Sequence, residues 1–211
     1  MDTLQIILSV VTAVAAIIAL FISIVEIKKS NKQALFERRL KVYLTVKWMK
    51  SLCDAHRKSE ETYLKEMENG PVRTIYYMFD LMTNCTCLEE LQGTLKHTLD
   101  EEYQRKYLLK MESLRNMCEE VVLIFPENIG YPLADFIFYY EEMLVAMYKY
   151  QCAIESIRKE CNDFNKPFPN DDELEIKCRN ELKKYLSGTF ELADRLFNNG
   201  TLRKAASKIK L

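Results

Sequence analysis

The 211 residues carry 30 Lys/Arg against 31 Asp/Glu and two His, for a net charge of −1, with seven Cys and only five Gly and five Pro. So few chain breaks exclude a turn-rich all-β fold, and an odd, irregularly spaced set of cysteines excludes a secreted disulfide framework and points to a reducing compartment. At ~100 to 200 residues per domain, one folded domain is expected beyond any anchor.

The first element is the apolar run from Leu4 to Ile27. At ~1.5 Å per residue it is long enough to cross a hydrocarbon layer of ~30 Å. A cleaved signal peptide places its bases before the apolar core. Here they follow it: from Lys28 to Lys50 there are eight Lys/Arg and a single acid, Glu37. The expectation is a retained single span, with a short N-terminus outside the cell and the rest of the chain inside it. The Asn84 and Asn199 sequons then stay unused. Lys28, Lys29, Lys32, Arg38 and Arg39 are candidates for contact with anionic headgroups, at ~1 kcal/mol each near the surface.

The polar and small residues of the span are not scattered. Gln5, Ser9, Thr12, Ala16, Ala19, Ser23 and Glu26 follow steps of four and three, the spacing of a seam in a left-handed helix bundle. Small residues alone would suit close helix packing. Gln5 and Glu26 are not small, and a carboxylate near the membrane boundary is usually placed toward water or a partner. One helix encloses nothing, so a water-facing stripe requires several copies in a ring. Its lining would be these seven residues, with Glu26 favouring cations.

Beyond the span, helical rhythm continues without Gly or Pro as far as Gly70. Phe36, Leu40, Leu44, Trp48 and Leu52 recur every four residues as a candidate apolar face, with Tyr43 and Met49 adjoining it. The expected division is a transmembrane helix over 1–27, a basic stalk helix over 28–68 and an α-helical cytoplasmic domain over 69–211. In that domain, helices are expected from Val72 to about Met82, from Glu101 to Phe125, from Leu133 to Cys161 after a Pro126-Gly130-Pro132 connection, and from Asp171 to Phe197. The last follows a 166–169 loop and an Asn170 cap. The basic tail from Thr201 reads as a solvated end, the alternative being a short amphipathic helix on a membrane or partner. The fold class is all-α: one N-terminal membrane helix continuing into a helical bundle.

No P-loop, G-x-G-x-x-G, G-x-S-x-G or H-E-x-x-H occurs. The Cys85-x-Cys87 pair lacks the companion C-x-x-C or Cys/His cluster of a zinc site, so no metal or cofactor is expected and the thiols read as small core residues. His56 and His97 read as surface residues. The R-x(4–6)-H motif of helical RNases would need Arg at 49–51 or 90–92, which hold Met-Lys-Ser and Glu-Leu-Gln. Arg115-Asn116 and Arg179-Asn180 look like remnants of such motifs without the proton-transferring His. No enzymatic activity is expected.

The layout of one N-terminal span, a basic helix around LFERRLKVYLTVKWM and a helical domain entered through VVLIFPENIGYPL resembles the small membrane-anchored accessory proteins of type VI-B CRISPR systems. That resemblance implies antiviral defence beside an RNA-guided RNA-cleaving effector, a divergent RNase motif, and a homo-oligomeric pore in the bacterial inner membrane that dissipates the membrane potential once the effector is triggered. The expected partners are further copies of the chain, the lipid bilayer and, functionally, that RNase. No DNA partner is expected. The alternative is a membrane-tethered helical adaptor without pore activity, and the third reading is a degenerate membrane-bound RNase.

Overall fold

A single helix, α1 (Thr3–Ala55), runs without interruption through the apolar and the basic segments. Its 53 residues contain no Gly or Pro, and at ~1.5 Å each they span about 80 Å. It is the one helix among the described residues long and apolar enough to cross a membrane. The computed structural model describes residues 3–163, 169 and 172–209, with the side chains of 3–8 and 10 outside that description. The expected 166–169 loop, apart from Pro169, and the Asn170 cap with Asp171 as first helical residue lie outside the described residues.

The helix ends at His56 rather than at Gly70. His56 adopts φ −111° and ψ 20°, and α2 (Arg57–Asn69) starts immediately after it. Bonds from His56 N–H to Leu52 O and from Glu60 N–H to His56 O, both 3.0 Å, bridge the break. Nor is the whole of 28–68 a stalk. Residues 28–34 are exposed, whereas Val42, Val46, Met49 and Cys53 are at most 1% exposed. The lower part of α1 and all of α2 are therefore walls of the helical domain.

The buried face of α1 matches the expected one only in part: Met49 and Leu52 reach the core, and the rest of the four-residue repeat does not. Each residue turns an α-helix by about 100°, so a repeat of four advances by about 40° and winds off any single face. Phe36, Leu40, Leu44, Trp48 and Leu52 drift in this way, and Trp48 ends up 37% exposed. Val42, Val46, Met49 and Cys53 alternate steps of four and three, stay within a sector of about 60°, and reach the core.

The remaining helices are α3 (Ile75–Met82), α4 (Glu101–Ile124), α5 (Glu127–Asp163), α6 (Glu173–Asn198) and α7 (Thr201–Ser207), with no strand among the described residues. α5 is the central helix, packed mainly between α4 and α6. Its Phe136, Tyr140 and Tyr150 are fully enclosed with Phe79 of α3, Met49 of α1 and Phe190 of α6. Each such side chain contributes roughly 1.5–3 kcal/mol through burial. Gly188 of α6 lies against the Tyr139 ring of α5, where an added Cβ would come within 2.8 Å of two ring carbons.

α5 starts at Glu127, six residues before the expected Leu133, and includes Pro132. Pro126 O accepts bonds from Ile129 N–H and Gly130 N–H, both 2.8 Å, and so begins the helix. Pro132, the sixth residue of α5, gives up one rung of the ladder, the bond an N–H there would make to Asn128 O. Gly130 lets α4 and α5 meet at this corner, since a Cβ there would sit 3.2 Å from Val121 O. The polar stretch after α3 folds into two 3₁₀ turns, Glu89–Leu91 and Thr94–Lys96, which insert Leu88, Leu91 and Leu95 fully into the core. α6 is capped by Asp172, whose carboxylate accepts from Glu175 N–H at 3.0 Å. The tail is docked rather than solvated at α7: Ala205 is 0% and Thr201 3% exposed.

Candidate functional site

The described members of the stripe, Ser9, Thr12, Ala16, Ala19, Ser23 and Glu26, are all exposed on α1. The Gln5 side chain lies outside the described residues, although its backbone belongs to the same helix. Ser23 Oγ donates to Ala19 O at 2.9 Å, which satisfies the hydroxyl proton within the helix and leaves its lone pairs as acceptors. At about 100° per residue, the seven positions occupy a sector of about 100°. The core-facing set of Val42, Val46, Met49 and Cys53 is centred about 120° around the helix from them. The domain thus hangs from one side of α1, and the stripe looks out on another.

Carried past Glu26 along the helix, the stripe side of α1 presents Glu37, Lys41, Leu44 and Trp48. Gln33 donates to the Glu37 carboxylate at 3.1 Å, Lys41 borders a groove of about 260 Å³ shared with Leu109, Asn116 and Glu120 of α4, and Trp48 is partly exposed. This continuation was missed because Leu44 and Trp48 were assigned to the core face. The four-three stepping that marks the stripe is the signal that finds it.

The basic positions divide into two groups. Lys28, Lys29 and Lys32 are exposed on the free part of α1. Arg38 and Arg39, the other candidates for headgroup contact, also meet the helical domain. Arg38 pairs with Glu120 of α4 at 3.7 Å. Arg39 Nε donates to Ile124 O at 2.7 Å and its Nη1 to Lys208 O at 3.1 Å, while its guanidinium lies over the Phe125 ring. It therefore caps the C-terminal ends of α4 and α7 together, where unpaired carbonyls attract a cation. Arg39→Gln is expected to release the α7 end, raising amide exchange there at least about tenfold by hydrogen-exchange mass spectrometry, since bonds from a charged donor contribute ~1.5–3 kcal/mol. Unchanged protection of α7 would show that the apolar packing of Ala205 alone holds it.

Arg115-Asn116 and Arg179-Asn180 lie on α4 and α6, which flank α5 on different sides. Arg115 donates to the Glu141 carboxylate at 2.7 Å and approaches Glu142 at 3.8 Å. Glu141 is 1% exposed; burial pushes its pKa up, and the Arg115 charge opposes that shift. Arg179 sits 3.5 Å from the equally buried Glu175 of its own helix. Both arginines neutralise buried carboxylates, and Asn116 and Asn180 are exposed. His97 stacks on Tyr103 at 4.7 Å; His56 is half-buried at the α1–α2 break, and burial lowers its pKa. Among the described residues, no three His, Cys, Asp or Glu side chains converge as a metal site requires.

No family model, no curated protein and no solved structure matches this chain. The resemblance drawn from its layout therefore rests on that layout alone.

Proposed function

We propose that this protein is a membrane-anchored pore, built by several copies meeting along the stripe of α1 and held closed until a signal reaches the helical domain. The observation that carries this reading is the placement of two faces on one rigid helix. The stripe stands about 120° away from the face that holds the domain, so copies can associate through the stripe without displacing their domains. Because α1 is also a wall of the domain core, a rotation or tilt of the domain is a motion of the span. In the ring, Gln5, Ser9, Thr12, Ala16, Ala19, Ser23 and Glu26 line the passage, and Lys28, Lys29 and Lys32 face anionic headgroups. The basic flank supports an orientation with the domain in the cytoplasm, and the resemblance supports the bacterial inner membrane. The link to an RNA-guided RNase and antiviral defence comes from the resemblance, and makes triggered depolarisation the expected output.

The second reading, a tethered adaptor, is favoured by the same fusion of span and core, since a rigid anchor also fixes a binding surface at the membrane. Exchanging residues 4–27 for an unrelated monomeric span separates the two. For a pore, the exchange abolishes depolarisation, read with a potential-sensitive dye in cells whose RNA-targeting effector has been triggered. Full defence with the exchanged span would establish the adaptor and remove the pore.

A further inference from the structure

The connection between α3 and the first 3₁₀ turn holds Cys85-Thr86-Cys87, and its two sulfurs lie 3.1 Å apart. A disulfide needs ~2.05 Å, so they must approach by only about an ångström. Both thiols are half-buried, and the intervening Thr86 is exposed, so the pair lies near the surface of the domain rather than sealed in its core. The turn is anchored at both ends by fully buried residues, Thr83 and Leu88. It is also held internally by bonds from Cys85 N–H to Thr83 O at 2.8 Å and from Leu88 N–H to Cys85 O at 2.9 Å. The pair is therefore presented in one fixed arrangement.

We infer that Cys85 and Cys87 form a redox modification site, a dithiol that hydrogen peroxide converts reversibly to a disulfide within the turn. The two sulfurs are not equivalent. The Cys85 thiol is shifted down, first by its hydrogen bond with the Cys87 sulfur, then through the Cys87 and Leu88 N–H groups and the Lys110 charge, with burial opposing. Cys87 is shifted up, first by the same hydrogen bond and then by burial. One sulfur is thus the nucleophile and the other its proton-bearing resolving partner. Cys118, Cys152 and Cys178 are shifted up by burial and serve as slow internal references.

The chemistry balances with peroxide as the oxidant. The Cys85 thiolate attacks one peroxide oxygen; the S–O bond forms, the O–O bond breaks, and the departing hydroxide takes up the proton that Cys85 released, giving water and a sulfenic acid. The Cys87 sulfur, giving up its proton, then attacks the Cys85 sulfur. The S–S bond forms, the S–O bond breaks, and hydroxide leaves with that proton as a second water. Each sulfur loses one electron, and peroxide gains two. A disulfide across a single intervening residue closes a small, strained ring, so it is readily reduced again.

The test uses the full chain in detergent, treated with a few equivalents of hydrogen peroxide and mapped by peptide mass spectrometry. The expected result is a peptide containing both cysteines that is lighter by two hydrogen atoms, restored by dithiothreitol, and formed before any change at Cys118, Cys152 or Cys178. Cys87→Ser should instead accumulate a sulfenic acid at Cys85, trapped by dimedone. Iodoacetamide at pH 7 should alkylate Cys85 at least about tenfold faster than Cys118. Oxidation of the reference cysteines first, or a sulfenic acid persisting at Cys85 in the unaltered chain, overturns the assignment.

Discussion

Leucine at Ala16 or Ala19 is expected to abolish depolarisation of cells carrying a triggered RNA-targeting effector, whereas leucine at Val14 leaves it intact. Ala16 and Ala19 are the smallest members of the stripe and sit near the middle of the apolar run, where the proposed passage would have only a methyl group per copy. Each substitution places a branched side chain at the same level in every copy, so its effect is multiplied around the ring. Overpacking a close contact costs ~1–3 kcal/mol per site, and even a ring that tolerates that strain has its bore filled by apolar groups that exclude water. Val14 lies about 180° around α1 from Gln5 and is 50% exposed. Its leucine variant adds the same apolar bulk to the span away from the stripe, which separates the geometry from a general effect on insertion. Two measurements are needed: the potential-sensitive dye signal in cells and the size of the complex in detergent by native mass spectrometry. Depolarisation at parental level with leucine at both 16 and 19 removes the lining assignment, whatever the size measurement gives.

The span, the helical class and the stripe were legible because each depends on a local property: apolar length, scarcity of Gly and Pro, and a repeat that holds one side of a helix. What escaped depends on partners distant in sequence. The apolar residues from Phe36 to Leu52 outline no single face, and packing against α3, α4, α5, α6 and α7 selects Val42, Val46, Met49 and Cys53. Pro132 read as a break because a proline is judged by its own position. Its place inside α5 depends on Pro126 O accepting two bonds at the helix start and on Gly130 letting α4 come close. Arg38 and Arg39 resemble Lys28 and Lys29 in sequence, yet they are drawn to Glu120, Ile124 and Lys208, which lie 82 or more positions away. The Cys85–Cys87 pair was visible as spacing, but its sulfur–sulfur contact is set by the turn that Thr83 and Leu88 anchor.

Arg179→Ala is expected to lower the stability of the helical domain by ~3–5 kcal/mol, the cost of leaving a buried charge without its counterion. Glu175 is 1% exposed and the Arg179 side chain 15% exposed, 3.5 Å apart. The other Glu175 oxygen accepts from Tyr150 Oη at 2.9 Å, and Tyr150 Oη accepts from Val72 N–H at 2.8 Å. This chain of bonds joins the start of α6 to α5 and to the segment between α2 and α3, so the loss is felt by three parts of the domain. At ~2–4 °C per kcal/mol for a chain of this size, the midpoint of thermal unfolding should fall by on the order of 10 °C. The double variant Arg179→Ala with Glu175→Gln should recover most of that loss, because a neutral amide oxygen still accepts from Tyr150 and leaves no unpaired charge. Under the RNase reading, Arg179→Ala instead removes RNA cleavage while the melting point stays at the parental value, and the double variant recovers nothing. Measuring unfolding and RNA cleavage on the same three purified proteins therefore assigns Arg179 either to the support of a buried carboxylate or to catalysis.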